Sequence, residues 1–206
     1  MNPKWSQGSP RSIQLDWQTI FIDPDSSSWQ IEEAIRTDGG WSRKNFRFKQ
    51  NISKLDGNKP DGAVCLTVRK SDNSVLFVRQ HRPAPGVKLL ELPRGKAETE
   101  DIDFVQVAFR ETLEETGYRI KNGINLGNIF PDSGIQAASI AVIVAEYDDK
   151  FQHKEIADGE TVGSIWIPRS KIPEYIAKGD IRDAITLSAI QLWISYTSLI
   201  SFKLTD

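Results

Sequence analysis

Residues Leu92–Tyr118 read LPRGKAETEDIDFVQVAFRETLEETGY, and the second half, Arg110-Glu111-Thr112-Leu113-Glu114-Glu115-Thr116-Gly117, decides how the chain is read. At roughly 100° per residue, Glu111, Glu114 and Glu115 fall on one face of a helix, with Arg110 at its edge. Val105, Ala108, Phe109, Thr112 and Leu113 point the other way, towards a core. Asp103 with Gln106 three residues on resembles a capping box at the helix start. Gly117 supplies a left-handed stop, and Gly95, after Pro93, supplies a turn ahead of the helix.

Three carboxylates on one helical turn repel each other, by ~0.2–0.5 kcal/mol per like-charged pair on a solvated helix. Arg110 neutralises part of that charge. A divalent cation that takes oxygen ligands, Mg²⁺ or Mn²⁺, suits the remainder. A solvated acidic face is the plain alternative for the bare glutamate string. The glycines flanking it at this spacing favour a site.

The rest of the composition narrows the classes. The chain has 206 residues, 26 % of them charged, with a formal net charge of -2. That length allows one good core plus an added segment. A balanced charge offers no basic field for nucleic acid. Cys65 is the single cysteine and lies in an apolar run, so it reads as inert core in a reducing, cytoplasmic compartment. The first residues, MNPKWSQGSPRS, carry no apolar signal segment. The C-terminal run Ile185–Phe202 is interrupted by Thr, Ser, Gln and Tyr, and reads as a core-facing helix rather than a membrane span.

Taken in order, residues 1–58 form an N-terminal extension and residues 59–206 the main domain. Ser12–Asp23 reads as a strand, Trp29–Arg36 as a short helix ended by Gly39-Gly40, and Trp41–Phe48 as a strand with interleaved basic residues. Asp56-Gly57-Asn58 is a turn and the candidate boundary. Ala63–Val68 and Ser74–Arg79 flank Lys70-Ser71-Asp72-Asn73 as a hairpin, and Gln80-His81-Arg82-Pro83 is a polar exit from it. Strands follow at Ile124–Phe130, Ser139–Tyr147 and Thr161–Ile167, then helices at Pro173–Lys178 and Asp183–Ser201. Strands and helices mix without strict alternation. The expected class is α+β, an α/β/α sandwich with a mixed sheet between helices and a β-rich N-terminal extension.

The box stretch resembles the Nudix box, Gly-x5-Glu-x7-Arg-Glu-U-x-Glu-Glu-x-Gly-U, where U is a bulky apolar residue. Gly95, Arg110, Glu111, Glu114, Glu115, Gly117 and Tyr118 match, and Thr112 stands at the first apolar position. One residue too many lies between Gly95 and Arg110. The lone Glu of the pattern falls on Asp101 counted forward and on Ile102 counted back, so Asp101 or Glu100 takes its place. Outside the box, Val78-Arg79-Gln80-His81-Arg82-Pro83, Glu91-Leu92-Pro93-Arg94-Gly95, Pro131-Asp132-Ser133-Gly134, Asp158-Gly159-Glu160 and Ile181-Arg182-Asp183-Ala184 resemble, in that order, the ADP-ribose and ADP-sugar pyrophosphatase branch.

The resemblance implies a Nudix fold and Mg²⁺- or Mn²⁺-dependent hydrolysis of a nucleoside diphosphate derivative. ADP-ribose, cut to AMP and ribose 5-phosphate, is the expected substrate. ADP-glucose, GDP-mannose and dinucleotides are the alternatives. It implies metal ligation by Glu111, Glu114 and Glu115 with the Arg94 carbonyl, and Glu160 as base, with Glu155 as runner-up. Arg110 holds the box carboxylates. Arg79, Arg82 and Gln80 are candidates for phosphate or ribose binding, since Arg forks match phosphate oxygens. Trp29 or Trp41 is a candidate for base stacking, against a core or interface role for each. His81 and His153 read as hydrogen-bonded or solvated residues. The extension implies a homodimer through exchanged strands. A weakened domain that senses a nucleotide, or an interaction protein with a chance acidic helix, are the readings of other classes.

Overall fold

The computed structural model describes residues 15–25, 29–38, 41–50, 60–98, 100–148, 150 and 161–203. Within these the chain runs β1 (Gln18–Ile22), β2 (Trp29–Asp38), β3 (Trp41–Gln50), β4 (Gly62–Arg69), β5 (Ser74–Arg82), β6 (Val87–Glu91), β7 (Arg94–Lys96) and α1 (Phe104–Thr116). Then come β8 (Ile120–Ile129), β9 (Ile140–Tyr147), β10 (Thr161–Pro168), α2 (Ile172–Ala177) and α3 (Ala184–Lys203). The chain forms two compact units: Met1–Asn51 with Asp132–Ala137, and Ile52–Pro131 with Ala138–Asp206.

In the larger unit a seven-stranded sheet has the order β10-β5-β4-β9-β8, with β6 on β5 and β7 on β4. β4 and β9 run parallel and the other pairs antiparallel, so the sheet is mixed. β4 is buried along its first six residues because both of its faces are covered. Val64 and Leu66 face a core closed by Ile185, Ala189, Ile190 and Trp193 of α3. Ala63 and Cys65 face the opposite core, closed by Val107 and Ala108 of α1. Small residues on that second face let the box helix sit close to the sheet. This is an α/β/α sandwich, as the mixture of elements implies. Burial pushes the Cys65 thiol up to about 11, as expected of an inert core cysteine.

The helix carrying the glutamates starts at Asp103, whose side chain accepts from the Gln106 backbone N–H at 2.8 Å. Gln106 reaches back to the Ile102 N–H, also at 2.8 Å, completing a capping box displaced by one residue. Gly117 ends the helix at φ 71°, with its N–H on the Leu113 carbonyl. The buried face includes Val107 and Thr116 as well as Ala108 and Thr112, whereas Val105, Phe109 and Leu113 are half-buried at its margins.

The smaller unit corrects one expectation. Residues 29–36 are part of β2, not a helix. Glu32, Glu33 and Ala34 favour helix locally, but β2 pairs with β3 along its whole length, from Trp29 with Gln50 to Asp38 with Trp41. Gly39-Gly40, read as a helix stop, lies outside the described residues. Acidic residues on β2 meet basic ones on β3: Arg47 donates to Glu32 at 2.6 Å and Lys44 pairs with Glu33 at 2.6 Å. Tertiary pairing therefore outweighs local propensity here. The loop Asp132–Ala137 belongs to this unit, and Phe48 exchanges backbone hydrogen bonds with Ile135 and Ala137.

Candidate active site

Arg110 organises the acidic face of α1. Its guanidinium donates to the Lys96 carbonyl at 2.7 Å, to Asp101 at 3.0 Å, to Glu111 at 2.8 Å and to Glu114 at 3.0 Å. A planar fork of five donors suits this role. The extra residue before the box is thereby resolved. Asp101 meets Arg110 and is nearly buried, while Ile102 projects into solvent and Glu100 stays exposed. Burial pushes the Asp101 carboxyl up, but the Arg110 hydrogen bonds outweigh it and the net pKa is lowered.

Glu111 lies against the turn at Gly95. A Cβ on Gly95 would come within 2.0 Å of the Glu111 carboxyl carbon, so only glycine leaves room for this carboxylate. Burial raises the Glu111 pKa, the Arg110 charge opposes it, and the neighbouring Glu114 and Glu98 add to the rise. Glu115 accepts from the Arg94 backbone N–H at 3.2 Å. Thus Glu111 and Glu115 both address the Arg94-Gly95 loop, and Arg110 holds Glu111 and Glu114. Among the described residues no three His, Cys, Asp or Glu side chains converge on one ion position.

The loop itself is held by a carboxylate to which the sequence reading assigned no role. Glu91 is fully buried, yet pairs with Arg82 at 2.6 Å and Arg94 at 2.8 Å. Burial raises its pKa, but the hydrogen bond and charge of Arg82 with the charge of Arg94 lower it overall. Asp183, ahead of α3, stands 3.5 Å from Arg94 and accepts from Thr186. Thr186 in turn accepts from the Leu92 N–H at 3.1 Å. On the other side, Pro93 accepts from the Cys65 N–H at 2.9 Å. The signal for Glu91 was a lone charge inside Leu89-Leu90-Glu91-Leu92: a buried carboxylate needs partners.

The remaining candidates divide by strand parity. The β5–β6 register pairs Val78 with Glu91 and Arg82 with Val87, so Gln80, Arg82 and Glu91 share a face. Gln80 is buried. Arg79 pairs with Leu90 and lies on the opposite face with His81 and Lys88, away from the box glutamates. Trp29 belongs to the smaller unit, where its ring lies 5.3 Å from Phe21 and 6.2 Å from Phe48. Trp41 opens β3, and its side chain lies outside those described. Glu160, Glu155 and His153 also lie outside the described residues.

Comparison with known proteins agrees with this geometry. The model of the NUDIX domain matches residues 58–187. A GDP-mannose pyrophosphatase of Cronobacter sakazakii is 30 % identical over 180 residues, covering 78 % of this chain and 92 % of that protein. An ADP-ribose pyrophosphatase of Saccharomyces cerevisiae is 25 % identical over 167 residues, covering 78 % of this chain and 66 % of that one. The crystal structure of an ADP compounds hydrolase shares the fold, with a TM-score of 0.69 at 14 % identity over 90 % of this chain and 94 % of that one. With the box helix, its arginine and its glycine turn all in place, the chain belongs to the Nudix hydrolase family.

Proposed function

We propose that the chain hydrolyses the pyrophosphate bond of a nucleoside diphosphate sugar, with ADP-ribose as substrate and AMP and ribose 5-phosphate as products. The observation that carries this reading is the packing of the Glu111 carboxylate against Gly95, beside a loop whose Arg94 N–H is taken by Glu115. GDP-mannose is the second reading, favoured by the 30 % identity to a protein named for that substrate.

The donor set fits a hard divalent cation such as Mg²⁺ or Mn²⁺. Glu111 and Glu115, with Glu114 and the Arg94 carbonyl, would hold it, and it would offset the burial that raises Glu111. When bound, such a cation neutralises pyrophosphate oxygens and lowers the pKa of attacking water. The protein supplies the rest. Arg110 keeps Glu111 and Glu114 oriented and spreads their charge. Glu91 holds Arg82 and Arg94 beside the loop. Arg82 keeps donor capacity for a phosphate oxygen, with Gln80 on the same face. Glu160 serves as base for the attacking water, by its position in Asp158-Gly159-Glu160, and Glu155 is its alternative. Water adds to phosphorus, the bridging P–O bond breaks, and the proton passes to that base. A reducing, cytoplasmic setting and a homodimer complete the proposal, supported by the single buried Cys65 and by apolar residues exposed on β1–β3.

The test is AMP release from ADP-ribose with and without Mg²⁺, beside GDP-mannose and ADP-glucose. Glu111→Gln is expected to cut turnover by about 10²-fold or more while circular dichroism stays native. Unchanged turnover in that variant would overturn the metal assignment.

A further inference from the structure

On the face of β5–β6 turned away from the box glutamates lies a cavity of about 520 Å³, lined by Arg79, Lys88, Leu90, Tyr175, Asp180 and Arg182 among others. The register places Arg79 opposite Leu90 and Lys88 opposite His81, so one face of this ribbon carries two permanent cations and an imidazole. Leu90 belongs to the core under α3, which puts this cavity on the α3 side of the sheet. The box helix covers the other side.

The opposite wall is a fixed piece of backbone. Just past α2, Gly179 sits at φ 81° with its N–H on the Ile176 carbonyl. Asp180 and Ile181 both donate to the Tyr175 carbonyl, and the Asp180 carbonyl accepts from the Leu90 N–H at 3.2 Å. Ile181 is fully buried and anchors the turn. These bonds fix the backbone that leads into Arg182, which lines the cavity with Arg79 and Lys88.

The charge balance of this cavity differs from that around the box. Arg82 and Arg94 share Glu91, and Arg110 contacts four carboxylates. Arg79, Lys88 and Arg182 pair with no described carboxylate, and among the described residues Asp180 is the single acid in the lining. Three cations converging on one concave surface repel one another and attract an anion. Two guanidinium forks match phosphate oxygens, Lys88 adds a point charge, and half-buried Tyr175 lines the same cavity with Leu90. Asp180 supplies an acceptor for a hydroxyl or amine. The volume is that of a small-ligand site, typically ~300–1,000 Å³.

We propose that this cavity is a second, non-hydrolytic site for a nucleoside monophosphate, its phosphate held by Arg79, Lys88 and Arg182 and its base against Tyr175. The site does not depend on the activity argued above. It requires no metal.

Calorimetric titration of AMP, inorganic phosphate and adenosine into the full chain in EDTA tests it. AMP is expected to bind one site, inorganic phosphate more weakly, and adenosine weakest. Lys88→Ala with Arg182→Ala should weaken AMP by about tenfold or more, while Asp180→Asn keeps or strengthens it. Glu111→Gln should leave this metal-free binding as it is. Lys88, Asp180 and Arg182 are exposed, so their substitution is expected to leave the fold intact, which circular dichroism checks for each variant including Glu111→Gln. Equal AMP affinity in the double variant, or no metal-free binding up to about 10 mM, overturns the proposal. Binding that is lost in Glu111→Gln and kept in the double variant also overturns it, because the ligand then sits at the box.

Discussion

Gly95 and Glu111 show how little freedom the site has at the scale of single residues. The Glu111 carboxylate occupies the space into which a Cβ at position 95 would project. Gly95→Ala must displace either the carboxylate or the loop. A displacement near 1 Å in such a site can cost about 10²-fold in rate. The expected outcome is a fall of that size in kcat with a native circular dichroism spectrum. Full activity in Gly95→Ala would mean that Glu111 is not needed where it now sits. The glutamates and their arginine were legible in sequence because an α-helix imposes its own period. Which carboxylate before the box would meet Arg110 was not. Glu100, Asp101 and Ile102 are neighbours in sequence, and only the path of the loop brings Asp101 within 3.0 Å of the guanidinium.

Between elements, the loop from Glu91 to Arg94 is tied to β5 through Arg82, to β4 through the Pro93 carbonyl, and to α3 through Thr186. Its central acid makes a pH prediction. The Glu91 pKa is lowered from 4.5 in the folded state. A depressed carboxylate contributes stability that is present above the unfolded pKa and lost as pH falls through the folded value. Asp101, also lowered, acts in the same direction. Thermal stability is therefore expected to decline as pH drops below about 4.5. Glu91→Gln should cost about 3–5 kcal/mol at neutral pH, because two arginines lose their buried partner. It should also flatten the acid decline. Thermal melts of both proteins between neutral and acidic pH check this. Parallel curves with equal slopes would remove Glu91 from the account. Strand parity was equally decisive for Arg79 and Arg82. They read alike in Arg79-Gln80-His81-Arg82, yet strand pairing sends them to opposite faces of β5.

For the whole molecule, the smaller unit presents an unusual surface. Ile20, Phe21, Ile22, Ile35, Phe46 and Phe48 are all large, apolar and exposed on its three strands. By the strand register Phe21, Ile35, Phe46 and Phe48 share one face, and apolar residues exposed together on a thin sheet mark an interaction surface. A second copy of this chain is the occupant expected for a homodimer. Sedimentation equilibrium should give twice the chain mass at micromolar concentration, and Ile35→Lys with Phe46→Lys should shift the protein towards monomer. A wild-type monomer under those conditions would sink the homodimer.

The sequence alone determined the box helix, its caps, its glutamates and the buried hairpin after Gly62. Each of these depends on periodicity or on a glycine within a few residues, so the information is local. The tertiary structure alone decided that residues 29–36 form a strand. It also decided that Asp101 serves Arg110, that Glu91 anchors the loop, and that Arg79 faces a basic cavity on the α3 side. These outcomes depend on which distant segment lies alongside, and on the few hydrogen bonds and charges that offset burial there. Local propensity carries no record of such partners.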